Sequence, residues 1–190
     1  MPSEKQLAAL AGFAGAAVRS ERLYGVPAEL SVAQAVVESA WGAKMPANNC
    51  FGIKASAHHT ASCSVTTHEV FTAAQLAEWR AKHPGRPVRL VKELGGGKQL
   101  VELDDDFASY CDLGACFEDH AAVLLEPPFR AMLDRYHQSE NLFAYVHEVG
   151  KRYATDPTYG KLLLSIISGR AVQDALRAAR ARAAEAKQEF

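Results

Sequence analysis

Apolar residues recur every three to four positions over most of this chain, which is the spacing of amphipathic helices. A first helix is predicted over residues 7–24, and a second begins at Pro27 with Val32 and Val36 on its apolar stripe. The same pattern returns over residues 107–125, 129–136, 142–152 and 162–167. The chain is therefore predicted to be mainly helical.

The helical spacing breaks in the middle of the chain. Residues 63–70 alternate in polarity, as in a short strand, and two apolar segments flank the three consecutive glycines at 95–97, as in a hairpin. A further helix is predicted over 71–82, where Thr72 is placed to act as N-cap. The predicted fold class is α+β, mainly α, with a helical body and a small β-lobe over about 55–106.

The last segment, residues 170–190, is rich in Ala and Arg and lacks large apolar residues after Leu176. Such a segment forms a helix readily but has little surface to bury, so we expect a protruding or frayed helix, or a partner-docking tail. The length of 190 residues suits one compact domain. The predicted organisation is a single catalytic domain over 1–169 followed by this helical tail.

Charge and hydropathy exclude several classes of function. The net charge of −1 gives no general attraction to nucleic acid or anionic lipid, and no apolar run is long enough to insert in a bilayer. Residues 7–18 could be mistaken for the apolar part of a signal peptide, but only Lys5 precedes them as a positive residue and Glu4 offsets it. We expect them to form the first helix rather than a cleavable signal.

Glu38 is the candidate for chemistry, because it interrupts an apolar segment in the last turn of the second helix, which Gly42 is expected to end. Partial burial, the negative end of the helix dipole and the indole of Trp41 would each favour a protonated carboxyl near neutral pH. A neutral carboxylic acid can protonate a glycosidic oxygen. The alternative is an ordinary solvent-facing glutamate, which is the commoner case for a helix glutamate considered alone.

The sequence around Glu38 resembles a known family. AQAVVESAWG at 33–42 and NNCFGIK at 48–54 are similar to the signature of the bacterial endo-β-N-acetylglucosaminidases of glycoside hydrolase family 73, and YATDPTY at 153–159 is a second resemblance. The resemblance covers roughly 13–167. It implies a lysozyme-like body whose β-lobe forms one wall of a sugar cleft. It also implies hydrolysis of the β-1,4 bond between N-acetylglucosamine and N-acetylmuramic acid in peptidoglycan, which lyses the bacterial cell wall.

The resemblance also implies roles for individual residues. The glutamate of its ES-x-WG motif is the general acid, which places that role on Glu38. A second carboxylate is expected in a Thr-x-Glu pattern, which assigns Glu69 to activate water or to stabilise the transition state, with Glu78, Glu93 and Glu102 as the other candidates. Tyr153 is expected to donate a hydrogen bond to substrate or water. The residues expected to shape the sugar subsites are Trp41, Asn48, Asn49 and Phe51.

The remaining polar cluster, Glu118, Asp119 and His120, could suggest a hydrolytic triad. No activated serine or nucleophile elbow accompanies it, so we expect these residues to anchor their helix. The chemistry assigned to Glu38 requires neither a metal nor an organic cofactor.

The four cysteines admit more than one state. Disulfides between Cys50 and Cys63, and between Cys111 and Cys116, would fit an enzyme that reaches an oxidising compartment. Free buried thiols are the alternative, favoured for the second pair. A zinc site with neighbouring histidines, His58, His59 or His68, is conceivable, but no C-x-x-C spacing supports it.

The biological context follows from the substrate. Peptidoglycan lies outside the cytoplasmic membrane, so we expect action in the periplasm or outside the cell after delivery by a secretion apparatus or by lysis. A secreted antibacterial effector or a phage lysin fits, and an effector would require a periplasmic immunity protein as partner. We expect a monomer. Two alternatives remain open: a muramidase or lytic transglycosylase on the same substrate, and a non-catalytic wall-binding or assembly module.

Overall fold

The computed structural model describes residues 2–186, and these form two compact units. The helical unit runs up to Ile53 and resumes at Tyr110, and the β unit is Lys54–Ser109. In chain order the elements are α1 (Glu4–Tyr24), α2 (Ala28–Glu38), β1 (Ser62–Thr72), α3 (Ala73–Lys82), β2 (Val88–Leu94), β3 (Lys98–Ala108), α4 (Leu113–Leu125), α5 (Phe129–Ser139), α6 (Leu142–Tyr153), α7 (Tyr159–Ile167) and α8 (Arg170–Glu185). The predicted α+β, mainly α, fold class is confirmed. None of the helices within 2–186 is long and apolar enough to cross a bilayer.

Helix α1 forms where the first apolar stripe predicts it. Its N-terminus is closed by a capping box, in which the Gln6 N–H donates to Ser3 Oγ and the Ser3 N–H donates to Gln6 Oε1. It ends at Gly25, whose φ of 75° is the left-handed conformation that glycine adopts without strain. Leu10 and Phe13 lie on its buried face, so α1 is part of the core.

Helix α2 lies at the centre of the helical unit. One side contributes Val32 and Val36 to an apolar cluster with Phe117 on α4, and the other contributes Leu30 to a second cluster with Leu163 on α7. A helix buried on both sides must be apolar nearly all round, which explains why its sequence carries few polar residues. Its position brings the end of α2 close to elements from distant parts of the chain.

The expectation of a protruding helix after residue 170 is wrong for the part that the structure describes. Val172, Leu176 and Ala179 of α8 are buried and join the core cluster of α1. Their spacing of four and three residues makes a narrow apolar stripe. This stripe is enough to bury one side of α8, because the facing surface of α1 is rich in alanine and permits close approach. Arg180 reinforces the contact by pairing with carboxylates of α1 and α2. Residues 187–190 of the predicted tail lie outside the described residues.

The β unit has a three-stranded antiparallel sheet in the order β1-β3-β2. The predicted hairpin is confirmed as β2 and β3, and the inserted helix is confirmed as α3, with Thr72 and Gln75 forming its capping box. A small core forms between α3 and the sheet from Leu76, Trp79, Val101 and Leu103. Trp79 is therefore a core residue of this unit.

Candidate active site

Helix α2 ends at Glu38, four residues before the predicted end at Gly42. The Ser39 hydroxyl donates to the Ala35 carbonyl at 2.5 Å and accepts the Gly42 N–H at 2.8 Å. These local bonds compete with helix continuation, which is a known tendency of serine. The chain then passes through left-handed conformations at Ala40 and Trp41, with φ of 48° and 61°. Glu38 is consequently the last helical residue.

Gly42 has a different role from the one predicted, because it allows the turn to approach α1. Its φ is 78°, and a Cβ at this position would lie 2.7 Å from the Cβ of Ala9. Both the backbone conformation and the close approach therefore require glycine. The turn after Glu38 is fixed against the core helix by this contact.

The carboxyl of Glu38 is held by a tyrosine from the far end of the chain. The Tyr159 hydroxyl donates to Glu38 Oε1 at 2.6 Å. The predicted partial burial of Glu38 is wrong, since the residue is exposed at the surface end of α2. Within residues 2–186, Oε2 accepts no hydrogen bond of its own. One oxygen is therefore anchored and the other is free to meet a ligand.

Tyr159 is positioned by the turn that precedes α7. Asp156 Oδ1 accepts hydrogen bonds from both the Thr158 N–H and the Thr158 hydroxyl, at 2.7 Å each. The turn places Tyr159 as the first residue of α7, where its side chain is buried. Burial raises the pKa of Tyr159, and its hydrogen bond to Glu38 raises the pKa further, so the phenol keeps its proton at neutral pH. Tyr159 was not among the site residues predicted from the sequence.

Tyr153, the predicted site tyrosine, lies beside Tyr159 and is not hydrogen-bonded to Glu38. Their rings stack with centroids 6.0 Å apart and planes 6° from parallel. Burial raises the pKa of Tyr153, and the nearby Glu38 carboxylate raises it further. Both tyrosines belong to the YATDPTY motif, so the motif signalled the region. Only the structure shows that Tyr159 bonds to Glu38 and that Tyr153 stacks on Tyr159.

A cavity of about 510 Å³ opens next to Tyr153. Its wall contains aromatic and small residues from four segments of the helical unit: Phe51, Gly52, Ile53, His120, Val123, Pro127, Pro128, Phe129, Arg152 and Tyr153. The predicted subsite residue Phe51 lies in this wall together with Tyr153. The cavity therefore brings two predicted site residues together.

His120 forms the floor of this arrangement and is almost completely buried. Its ring stacks on Phe51 with centroids 3.8 Å apart, and its Nε2 bonds to Gln34 Oε1 at 3.1 Å. Because an amide oxygen only accepts, Nε2 carries the proton of the neutral imidazole. Nδ1 is buried, and no donor among the described residues reaches it. Burial lowers the pKa of His120 to about 3, so the ring is neutral at physiological pH.

The predicted subsite residues Asn48 and Asn49 use their amides inside the protein. Asn48 Nδ2 donates to the Tyr110 carbonyl at 2.9 Å. Asn49 is buried; its Nδ2 donates to the Ile53 carbonyl at 2.8 Å, and its Oδ1 accepts the Ile53 N–H at 3.1 Å. These bonds hold the turn that carries Phe51.

Trp41 points to a separate region. It lines an apolar cavity of about 910 Å³ with residues of α1 and of the α7–α8 junction, such as Leu10, Ile166 and Val172. Among the residues that the structure describes, this lining does not include Glu38. The structure therefore places Trp41 with a cavity other than the one that contains Phe51 and Tyr153.

The second predicted carboxylate, Glu69, belongs to the β unit. It lies on β1, and its Oε1 accepts from Lys54 Nζ at 2.9 Å. Lys54 also pairs with Asp105 at 2.8 Å and lies 4.0 Å above the Phe107 ring. The three other candidates each have a different partner: Glu78 pairs with Lys82, Glu93 accepts from Gln99, and Glu102 pairs with Arg89.

The Glu118-Asp119-His120 cluster anchors α4. Arg19 donates to Glu118 at 3.0 Å, and the Tyr110 hydroxyl donates to Asp119 at 2.5 Å. With His120 buried against Phe51, the three side chains face three different partners. The contacts agree with anchoring and not with a hydrolytic triad.

The predicted cysteine pairings are not formed. All four cysteines are free thiols, and the buried Cys50 instead contacts the buried Cys116, with the two sulfurs 3.5 Å apart. Cys111 is exposed, and Cys63 lies half-buried on β1 of the other unit. Within residues 2–186 no group of three or more His, Cys, Asp or Glu side chains is arranged to hold a metal ion.

The chain matches a known protein family and two curated relatives over most of its length. The family model of the glucosaminidases, described as mannosyl-glycoprotein endo-beta-N-acetylglucosaminidase, matches residues 14–170. The peptidoglycan hydrolase FlgJ of Vibrio parahaemolyticus is 29% identical over 157 residues, which are 79% of this chain and 42% of the relative. FlgJ of Vibrio cholerae is 29% identical over 155 residues, covering 78% and 39%. The chain spans about two fifths of the length of these curated relatives.

Solved structures share the architecture. The catalytic domain of the autolysin Auto from Listeria monocytogenes superposes with a TM-score of 0.65 at 23% identity, covering 91% of this chain and 89% of that one. A mutant peptidoglycan hydrolase from Sphingomonas sp. A1 gives 0.58 at 25%, covering 90% and 98%. The glycoside hydrolase domain of Salmonella typhimurium FlgJ gives 0.61 at 22%, covering 97% and 98%. At such identities, the first and third of these show the fold alone.

Proposed function

This chain belongs to the glucosaminidase family of glycoside hydrolases, and we propose that it hydrolyses peptidoglycan at the β-1,4 bond between N-acetylglucosamine and N-acetylmuramic acid. The observation that carries the proposal is the hydrogen bond from the Tyr159 hydroxyl to Glu38 at the exposed end of α2. Relatives named as peptidoglycan hydrolases support the choice of substrate.

Glu38 acts as the general acid in this proposal. Tyr159 anchors Oε1, which leaves Oε2 to deliver a proton to the glycosidic oxygen as the bond to the anomeric carbon breaks. Positive charge then develops on the sugar ring, as in other glycosidases that use carboxylates. A carboxyl held in one orientation lowers the entropic cost of reaching that geometry.

Glu69 is proposed to assist the attacking water or to stabilise the charged sugar. The Thr-x-Glu pattern on β1 supports the assignment, and so does the lysine that holds the side chain: Lys54 Nζ lies 2.9 Å from Glu69 Oε1. A second carboxylate is the usual partner of the general acid in this chemistry.

The 510 Å³ cavity is proposed to bind one N-acetylated sugar. Aromatic rings of Phe51, Phe129 and Tyr153 provide apolar faces, and the Tyr153 hydroxyl and Arg152 provide donors for hydroxyl or acetamido oxygens. A concave apolar wall with a few directed polar groups is the usual form of a small-ligand site.

The proposed site of action is the cell wall, where the substrate lies. Use as a secreted antibacterial effector, with an immunity protein in the periplasm of the producing cell, extends this proposal. Its support is chemical, because an enzyme that degrades the wall of other bacteria also endangers the wall of its producer. A small secreted protein encoded beside this chain should then bind it and block hydrolysis, whereas a neighbouring holin gene would indicate a lysin.

Digestion of purified sacculi tests the reaction. The soluble fragments are reduced with borohydride and identified by mass spectrometry, and reduced N-acetylglucosamine ends are expected. Reduced N-acetylmuramic acid ends would mean a muramidase, and anhydro ends would mean a lytic transglycosylase.

The variant Glu38→Gln tests the role of the acid. It should release no fragments while still sedimenting with sacculi, because the amide cannot supply the proton but keeps the shape of the side chain. Glu140→Gln, at an exposed glutamate that ends α5, is the matched control and should remain active. A wild-type protein that sediments with sacculi without releasing fragments would make this chain a binding module.

A further inference from the structure

Two buried thiols meet in the helical unit, and one of them directly precedes Phe51 of the cavity wall. Cys50 Sγ and Cys116 Sγ are 3.5 Å apart, although 66 residues separate them in sequence. The two residues are 1% and 0% exposed, and both belong to the helical unit. A disulfide needs a sulfur–sulfur distance of about 2 Å, so the two sulfurs would approach each other by about 1.5 Å.

The contact joins two elements that already pack together. Cys50 immediately precedes Phe51, and Cys116 lies one helical turn before His120 on α4. The stacked Phe51 and His120 rings, 3.8 Å apart, join the same two segments, and each ring follows one of the cysteines in sequence. The two segments are therefore already held together by packing before the sulfur bond forms.

We propose that Cys50 and Cys116 form a disulfide when the chain folds in the presence of a disulfide oxidant. One thiolate attacks the oxidant to give a mixed disulfide and releases one thiol. The second cysteine then displaces the other thiol, so the sum is two Cys–SH plus R–S–S–R giving Cys–S–S–Cys plus two R–SH. The cysteines are oxidised, the oxidant is reduced, and both protons end on its thiols.

The bond is expected to form during folding rather than afterwards. Both thiols are buried in the folded protein, where a disulfide oxidant cannot reach them. The hydrogen bond with Cys116 and burial also raise the pKa of Cys50. The bond would tie the turn that carries Phe51 to α4 and close a loop of 66 residues. Cross-links of this size raise the unfolding temperature of a domain by about 5–15 °C.

Peptide mapping tests the pairing on the full chain. The protein is unfolded, refolded with oxidised and reduced glutathione or with dithiothreitol alone, alkylated with N-ethylmaleimide under denaturing conditions, and digested with trypsin without reduction. The expected product of oxidative refolding is residues 45–54 linked to residues 99–130. Because the second peptide also contains Cys111, the mapping is repeated on Cys111→Ser, where the same link should remain.

The variant that lacks both other cysteines, Cys63→Ser with Cys111→Ser, provides the second measurement. Refolded with glutathione, it should accept no N-ethylmaleimide and should melt about 5–15 °C above the same variant refolded with dithiothreitol. Four alkylated cysteines in the wild type after oxidative refolding, or a link from Cys50 to Cys63 or Cys111, would overturn the proposal. Neither readout measures catalysis, so the result is independent of the proposed function.

Discussion

The hydroxyl of Tyr159 donates a 2.6 Å hydrogen bond to Glu38 Oε1 across 121 residues of sequence. The tyrosine is buried and the glutamate is exposed, so a rigid core residue orients a surface carboxyl. A general acid on the exposed end of a helix would otherwise sample several rotamers.

Tyr159→Phe should lower the rate of sacculus hydrolysis about 10- to 100-fold. Hydrogen bonds to charged groups contribute about 1.5–3 kcal/mol, and about 1.4 kcal/mol corresponds to a tenfold change in rate. The ring remains in its packing, so the fold should persist. The rate is measured by dye release from labelled sacculi.

Tyr145→Phe is the matched control for that variant. The Tyr145 hydroxyl is buried, and no partner for it exists among the described residues. Its removal should leave the rate unchanged and should maintain or raise the unfolding temperature. An unchanged rate in Tyr159→Phe would remove the orienting role assigned to that hydroxyl.

Glu69→Gln should lower the rate of hydrolysis by about 100-fold or more, because general-base assistance contributes about 10²–10⁴. Glu78→Gln, at an exposed residue of α3 that pairs with Lys82, should behave as wild type. Both variants are compared at a fixed concentration of sacculi. Loss of activity in Glu102→Gln with full activity in Glu69→Gln would transfer the role to Glu102.

Leu176→Ala should lower the free energy of unfolding by about 2–4 kcal/mol, as expected when a buried leucine leaves a cavity. The neighbouring Arg177→Ala removes an exposed side chain and should change it by no more than about 0.5 kcal/mol. Urea unfolding followed by circular dichroism gives both values. Equal, small effects would mean that α8 does not pack on the core.

Stability should fall in acid partly because of His120. Burial lowers its pKa to about 3 in the folded protein, against roughly 6.5 in the unfolded chain. Between these values the unfolded chain binds a proton that the folded protein does not. The contribution of His120 to the free energy of unfolding is therefore complete above about pH 6.5. It declines by about 1.4 kcal/mol per pH unit as the pH falls towards 3.

The variant His120→Gln isolates the contribution of His120 to the pH dependence of stability. Urea unfolding of both proteins from about pH 4 to about pH 8 gives the free energy of unfolding against pH, and the variant should show a shallower decline below about pH 6.5. Subtracting one curve from the other cancels the contribution of the other histidines, which both proteins contain. Curves of equal slope would contradict the assignment of a neutral, buried imidazole.

Local signals in the sequence determined most of the secondary structure. Apolar spacing located the helical segments of the body, three glycines located the hairpin, and Thr72 at its N-cap located the inserted helix α3. Each of these depends on interactions between residues a few positions apart, so the sequence pattern contains the necessary information. The position of Glu38 in an apolar helix made it a candidate, and the resemblance to the glucosaminidase family selected the motif that carries both tyrosines.

Tertiary contacts decided the rest. The pairing of Tyr159 with Glu38 and of Cys50 with Cys116 depends on where helices meet in space, which periodicity does not specify. The narrow stripe of α8 was buried because α1 offered a small-residue surface to receive it. The turn after α2 likewise depends on how Gly42 fits against Ala9, at a distance where only glycine can approach. The sequence by itself thus defined the elements and the family motifs, whereas long-range packing determined which of their side chains touch.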